Sequence, residues 1–541
     1  MPPVQYVPLG RMVYGKQFAA GNFKRKVAFV LLIFFTIVTL VYALKPGVPV
    51  LPRFIRRMFA SKPKPTTTIA PKVETTTTPE AQTINETEKP PPPYVMPTYY
   101  MNAYLVSAKG GTPNLRLPAI RQCTNPLKTR VQLGPFNGIL TEGNRHSQCS
   151  VGHFPKFCRV KAALEWVHVT DEDIPRPLPD HVNLTDADGK VFRVPLVDSR
   201  EGGAEKRTHA LGACLKTMFG FTDWRRLITY MEFWISQGTT IFVFYIHTIS
   251  HEVDSILRIY ERDQNIEIHR VGWGDVPTEL PEDHPDNPNN NMWMTAEETQ
   301  RNDCLLRFRS RAKYVTTLDT DEVIGLGYPN QTTLIQLMDR YINGNVNIAG
   351  TPGALIFLHT MASTKPLTMR HPTEVTFQEY RSIALENVVY KPWDRSKPIY
   401  VPDNVYDGGI HLGRGFEEAK YSNAVVPADE ARLIHMRAMR PFEFLSGKAE
   451  GKWGGKYTSI LEVEAKKWFR AWRKRIRRLT FKTGLNWNPD ETAMLKATLK
   501  CQQKGFAKEY CPSVSKCLKP ATKLFHSTWV RHESAYITIK N

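Results

Sequence analysis

Two aspartates one residue apart, Asp319 and Asp321, follow the β-branched run 315–318. That run reads as a buried strand. If the extended backbone continues through Thr320, the side chains at i and i+2 share one face. Two convergent hard oxygen ligands suit a divalent cation that completes its shell with phosphate oxygens. The carboxyl end of a strand in an open α/β sheet is where such folds hold ligands. The chemistry on offer is the handling of a metal-bound diphosphate, as in an enzyme that uses nucleotide sugars. An Asp-x-Asp by itself is most often a solvated turn, so its surroundings must carry the reading.

Those surroundings alternate strand with helix. Residues 209–219 are strand-like, and Thr222 or Asp223 can cap a helix. Trp224, Leu227, Ile228, Met231, Trp234 and Ile235 then recur on one helical face, and Gly238 ends it. A strand over 240–245, a helix over 252–262 and a strand over 266–271 follow. After a polar Pro/Asn loop (274–291) come a helix over 295–311 and the strand ending at Asp319. This order predicts an α/β fold, a mostly parallel sheet flanked by helices. Neither a GxGxxG nor a Walker sequence is present, which argues against a dinucleotide binder or a phosphate-loop enzyme.

The chain is 541 residues long, room for roughly three domains. Residues 27–44 are uncharged and apolar, and Lys24, Arg25 and Lys26 precede them. Eighteen helical residues reach roughly 27 Å, enough for a thin bilayer, so an uncleaved signal anchor is expected. The layout read from the sequence is a cytoplasmic tail (1–26), a transmembrane helix (27–44) and a disordered Thr/Pro-rich stem (45–97). A small β-rich luminal region (98–205), the catalytic domain (206–445) and a basic, cysteine-containing C-terminal region (446–541) follow. All eight cysteines and the three glycosylation sequons, at Asn85, Asn183 and Asn330, lie beyond the apolar run, as an oxidising lumen would require. Pairing is not readable: Cys501, Cys511 and Cys517 would make a local staple and leave one over. No Cys-x-x-Cys pair speaks for structural zinc. The net charge of +20 comes with no nucleic-acid motif, so it is expected to meet anionic membrane, phosphate-bearing donors or acidic glycans. Residues 465–482 form a basic amphipathic helix with a stripe of Trp468, Trp472, Ile476 and Leu479. It reads as a docked helix with a solvated basic face, or else as a contact for membrane or an anionic glycan.

Four blocks carry a resemblance: 224–245, 301–324, 397–415 and 429–440. Asn302-Asp303-Cys304 followed by Asp319-x-Asp321-Glu322 is its most specific part. In these the chain resembles glycosyltransferase family 92, typified by animal and plant β-1,4-galactosyltransferases. It departs at Met436, which follows His435 where an aromatic residue is expected, and beyond Lys448, where no family role is assignable. The resemblance implies a GT-A fold, UDP-galactose as donor, Mn2+ or another divalent cation, and inversion at the anomeric carbon. Taken with the anchor, the cysteines and the sequons, it leads to the expectation of a single-pass type II protein of the Golgi membrane, its catalytic domain in the lumen, acting on a glycan acceptor of a glycoprotein (N-glycans among them) or glycolipid. The rival reading is a membrane-tethered, non-catalytic glycan-binding protein that retains the sheet; loss of the metal ligands would favour it, and both aspartates are present.

For such transfer Asp319 and Asp321 are the expected metal ligands. A late histidine closing the metal site, as in GT-A enzymes, points to His411 as a third. Lys216 and Arg414 are candidates for the phosphates, and Asp303 for the nucleotide unless it pairs with Arg307 at i+4. Glu322 would support the metal ligands. Asp407 and Glu379 head the candidates for the base, ahead of Glu374, Glu417 and Glu418. His435 lies near the donor or in the core.

Overall fold

Alternation of apolar strands with amphipathic helices builds the central sheet. The computed structural model describes residues 94–540 except 124–128, 144–157, 201–207, 329–331, 345, 347, 349, 365–368, 387, 437–453, 482–483, 488–490, 508–509 and 523–528. The expectations for the tail, the apolar run 27–44, most of the stem, Asn85, Asn330 and Cys149 lie outside the described residues. Among the described residues no helix is long and apolar enough to cross a membrane.

The first strand is β1 (His209–Met218), followed by α1 (Trp224–Ser236). Asp223 caps α1 by accepting from the Arg226 N–H, and Trp224, Leu227, Ile228, Met231 and Trp234 are buried on its inner face. Gly238 turns the chain at φ 93°, a left-handed conformation in which a side chain would also strike Ile335. Then come β2 (Thr239–Ile246), α2 (His251–Glu261), β3 (Glu267–Gly272), α3 (Glu297–Phe308) and β4 (Ala312–Thr316). The later elements are β5 (Glu322–Leu326), β6 (Thr351–Phe357), β7 (Lys397–Tyr400), β8 (Tyr421–Val426), β9 (Ala431–Met436) and α4 (Gly454–Ile476).

The sheet order is β3-β2-β1-β4-β7-β6-β8. Its first four strands are parallel, β7 runs against both neighbours, and β8 is parallel to β6. The expected mostly parallel sheet is present, with one reversed strand. Two expectations near the aspartates need correction. The helix before them starts at Glu297, not at 295, because Met294, Thr295 and Ala296 all have left-handed φ (45°, 54°, 54°). The strand ends at Thr316, so no extended backbone carries Asp319 and Asp321 onto a shared face. Instead residues 320–321 make a turn, in which the Glu322 N–H donates to the Asp319 carbonyl at 3.2 Å.

The lead-in region is larger than expected, a ten-stranded sheet. The runs foreseen as strands are there, as Val160–His168 and Val191–Asp198. Asn183 sits half-exposed in the strand His181–Thr185. A strand from the far end of the chain, Ile537–Ile539, joins this sheet beside Thr98–Tyr100. Disulfides pair Cys158 with Cys511, Cys214 with Cys304 and Cys501 with Cys517, and no described cysteine is free. The C-terminal trio is thus a local staple plus one long link.

The basic helix α4 is docked. Trp468 packs edge-on against Phe233, Phe377 and Tyr380, and Trp472 donates from Nε1 to the Pro372 carbonyl at 2.9 Å. Both indoles are fully buried.

Candidate active site

Asp319 leaves β4 beside two ammonium groups. Lys397, first residue of β7, places Nζ 2.9 Å from Asp319 Oδ2 and 3.2 Å from Glu322 Oε2. Lys216, near the end of β1, places Nζ 3.0 Å from Asp319 Oδ1. Strand pairing explains the meeting, since β1 and β7 flank β4 on its two sides. Burial alone would raise the Asp319 pKa, but the charges of Lys216 and Lys397 hold the carboxyl far below the usual range. Burial opposes the charge on both lysines as well, and the facing carboxylates keep them protonated. Oδ1 of Asp319 is buried and makes no aligned hydrogen bond, although Lys216 stands within ion-pair distance.

Asp321 faces the other way, toward β9. His435 Nε2 lies 3.1 Å from Asp321 Oδ2, while its Nδ1 lies 2.9 Å from Nε2 of the buried His359. With Nε2–H donating to the carboxylate, Nδ1 accepts from His359. Against the effect of burial, the bond and charge of His435 bring Asp321 down to about 2. His435, expected near the donor or in the core, does touch the site. Glu322 accepts from the Asp319 N–H at 3.0 Å and fixes the turn; burial raises its pKa.

His411 follows β7 in a glycine-rich hairpin. Its Nδ1–H donates to the Ser396 carbonyl at 2.8 Å, which fixes the tautomer and leaves the Nε2 lone pair available. Burial lowers its pKa, so the ring is neutral at pH 7. That is the form a metal ligand needs. The three expected ligands are not gathered, however: among the described residues no three His, Cys, Asp or Glu side chains form a group that could hold a metal ion. Asp319 and Asp321 fit a cation as two ionised oxygen ligands on one turn, one of them carrying a buried oxygen without an aligned hydrogen bond.

Three other expected site residues are committed elsewhere. Asp303 is buried at the junction with the lead-in sheet. Its oxygens accept from Tyr104, from Tyr245 (2.6 Å) and from Arg307 at i+4 (3.1 Å). It does not face a nucleotide; the ion pair with Arg307 is what forms. Asp407 accepts from Arg414 Nη2 at 2.8 Å and from Asn302 Nδ2 at 3.2 Å, which occupies it as a base. Arg414 also holds Glu298 at 2.7 Å, so its charge is spent within the protein rather than on a diphosphate. Glu417, a weaker candidate, is locked between Arg116 and Arg309.

Glu379 differs from these. It sits in the turn Gln378–Ser382, with Oε2 buried and without a hydrogen-bond partner among the described residues. Burial raises its pKa, only partly offset by its own backbone N–H and the charge of Arg225. Arg301 is a residue that the sequence reading missed. It is 3% exposed, and its guanidinium bonds Glu297 at 2.8 Å while Nε and Nη1 have no partner among the described residues. Its charge reaches His411. Lys397 was missed too. Both lie inside the blocks of resemblance, but only their distance from Asp319 and His411 in the fold marks them.

The family model for glycosyltransferase family 92 matches residues 209–481, from β1 past the end of α4. The chain belongs to glycosyltransferase family 92. The matched segment carries the aspartate turn, both lysines, Arg301, Glu379, His411 and the basic helix, so that helix lies within the family region after all. A family 92 protein of Caenorhabditis elegans is 24% identical over 239 residues, 44% of this chain and 44% of that one. The match thus spans less than half the length of that relative. Among solved structures, S. aureus TarS 1-349 in complex with UDP-GlcNAc aligns over 55% of this chain and 78% of its own, at 12% identity and TM-score 0.21. The mannosyltransferase PcManGT of Pyrobaculum calidifontis, in complex with GDP-Man and Mn2+, aligns over 58% and 87%, at 10% identity and TM-score 0.22. Likenesses this distant say nothing of the donor or metal of the family 92 chain.

Proposed function

We propose that this family 92 protein transfers galactose from UDP-galactose to a glycan acceptor, at the luminal face of the Golgi membrane. The observation that carries the donor side is the ionised pair on one turn at the end of a mostly parallel sheet, Asp319 beside Lys216 and Lys397 and Asp321 bonded by His435. The sugar, the β-1,4 linkage, inversion and the GT-A assignment rest on the resemblance of the four sequence blocks, and the type II topology on the apolar run 27–44 with the cysteines and sequons beyond it.

In this reading Asp319 and Asp321 would hold a divalent cation, Mn2+ by resemblance; among the described residues His411 is not gathered with them as a third ligand. The cation would act as a Lewis acid on the diphosphate. Lys216 and Lys397 supply positive charge on the leaving-group side, and Arg301 offers an anion two nitrogens, Nε and Nη1, that are unbonded among the described residues. Glu379 Oε2 takes the proton of the acceptor hydroxyl. The hydroxyl oxygen bonds to the anomeric carbon as the bond from that carbon to the β-phosphate oxygen breaks. The electron pair leaves on UDP, and the proton stays on Glu379.

The test is transfer by the full-length chain from a panel of labelled UDP-sugars to a glycan array, with Mn2+ present. Galactose should be the sugar moved. EDTA should stop the reaction, and Asp321→Asn, with an unchanged thermal melt, should cost about 100-fold or more in kcat, since electrostatic groups of this kind contribute several kcal/mol to the transition state. Transfer at the native rate in Asp321→Asn would overturn the assignment of the site, and faster transfer from another UDP-sugar would replace the donor.

A further inference from the structure

Residues 465–489 contain nine Lys or Arg and no Asp or Glu. Some of this charge has a structural use. Arg475 turns inward to Glu232 and Asp263, Lys466 pairs with Glu462 and Lys467 with Glu464. Positive charge in the last turn also complements the dipole of α4. Lys482 lies outside the described residues, and five others remain: Arg470, Arg473, Lys474, Arg477 and Arg478 are exposed, and among the described residues none of them makes an ion pair. They follow one another over the final turns of α4 and the turn after it, a span of about 12 Å at helical rise. Five like charges in that space repel one another, which an anionic partner would relieve.

Three observations identify the partner. A helix that lies on a bilayer keeps its apolar face for lipid. Here that face is buried in the protein through Trp468 and Trp472, and residues 466–478 expose no large hydrophobic side chain. Four of the five cations are arginines, whose planar forks match carboxylate and sulfate oxygens two at a time. The same helix also buttresses the segment 372–382, through Trp472 on the Pro372 carbonyl and Trp468 on Phe377 and Tyr380. That segment carries Glu379, the group proposed to meet the acceptor hydroxyl. We propose that the exposed face of α4 binds the acceptor, and that the acceptor is an anionic glycan bearing carboxylates or sulfates. This rests on the glycosyl-transfer reading of the site and narrows its acceptor.

Binding can be read without turnover, by fluorescence anisotropy on the full-length chain. The probes are labelled heparin-derived oligosaccharides, hyaluronan-derived oligosaccharides and neutral chitin-derived oligosaccharides of matched length. Vesicles of phosphatidylcholine with and without phosphatidylserine serve as the lipid arm. An anionic oligosaccharide should bind at least tenfold more tightly than the neutral one and weaken steeply with salt. The combined Arg470→Glu, Arg473→Glu, Lys474→Glu and Arg477→Glu variant should lose at least tenfold in that affinity at an unchanged thermal melt. Glutamine at the same four positions replaces it if the melt falls. Equal binding of neutral and anionic probes, native affinity in the variants, or binding confined to phosphatidylserine vesicles would each overturn the proposal. Hydrolysis of UDP-galactose by the wild-type chain without acceptor is measured separately. Its absence would count against the donor reading alone.

Discussion

At the scale of single residues, what separates Glu379 from Asp407 is what each carboxylate touches. Asp407 is bonded by Arg414 and Asn302, so removing its charge would strip a buried guanidinium of a partner. Glu379 keeps an oxygen that is buried and, among the described residues, unbonded, and burial raises its pKa above the ordinary glutamate value. For an acid raised in this way, the folded chain binds the proton more tightly than the unfolded chain. Its contribution to stability is therefore greatest below the unfolded pKa and is lost as pH rises through the folded one. Activity runs the opposite way, because a base must be deprotonated. The acid limb of the kcat profile should lie above the ordinary glutamate range. Glu379→Gln should lower kcat by about 10²- to 10⁴-fold, remove that limb, and leave the KM for UDP-galactose unchanged. A retained acid limb in the variant would exclude Glu379. Asp319 and Asp321 were visible in the sequence because they stand two positions apart after a β-branched run, although the turn that holds them was not. Lys397 is 78 positions from Asp319 and His435 is 114 from Asp321, and no spacing rule links residues so far apart.

Among the elements, helices were more legible than the ends of strands. The face of α1 follows from 3.6-residue periodicity, and its cap from one aspartate. The start of α3 and the end of β4 depend on backbone conformations that local propensity does not encode, and there the reading ran two or three residues long. The Asn302-Asp303-Cys304 run in α3 was legible as a mark of resemblance and not as what it does. Asn302 ties the helix to Gly408 and Asp407, Asp303 ties it to Tyr104 of the lead-in sheet and Tyr245 of β2, and Cys304 ties it to Cys214 of β1. Three consecutive residues on a helix point in three directions, so one run can brace three neighbours. Asp303→Asn would leave Arg307 largely buried opposite a neutral partner. It should cost about 3–5 kcal/mol of stability by urea denaturation, as breaking a buried pair does. Binding of UDP-galactose per folded molecule should not change. A stability loss below about 1 kcal/mol would mean that the junction is solvated, where ion pairs contribute that little.

At the scale of the whole molecule, residues 91–541 form one unit, in which the segment 529–539 returns to strands far earlier in the chain. Cys158 is linked to Cys511, Trp529–Arg531 pairs with Thr248–Ser250 beyond β2, and Ile537–Ile539 pairs with Thr98–Tyr100. Strands of three residues carry almost no periodicity, and their partners are hundreds of positions away, so this closure could not be read in the sequence. Between the two short strands the chain passes directly over the end of β3. There the Gly274 N–H donates to Ser534 Oγ, and a Cβ on Gly272 would stand 1.9 Å from the Glu533 carbonyl oxygen. Backbone blocks that position, so relief by a rotamer change is not available. Gly272→Ala must push the C-terminal segment off the sheet. It should cost about 1–3 kcal/mol, the usual penalty for overpacking, read from the denaturant midpoint. If the segment closes the fold rather than decorating it, the same variant should become sensitive to limited proteolysis within 529–540, and the lead-in sheet should lose protection from amide exchange at Thr98–Tyr100. A Gly272→Ala protein with native exchange at those amides would show that the two sheets hold together without the returning strand.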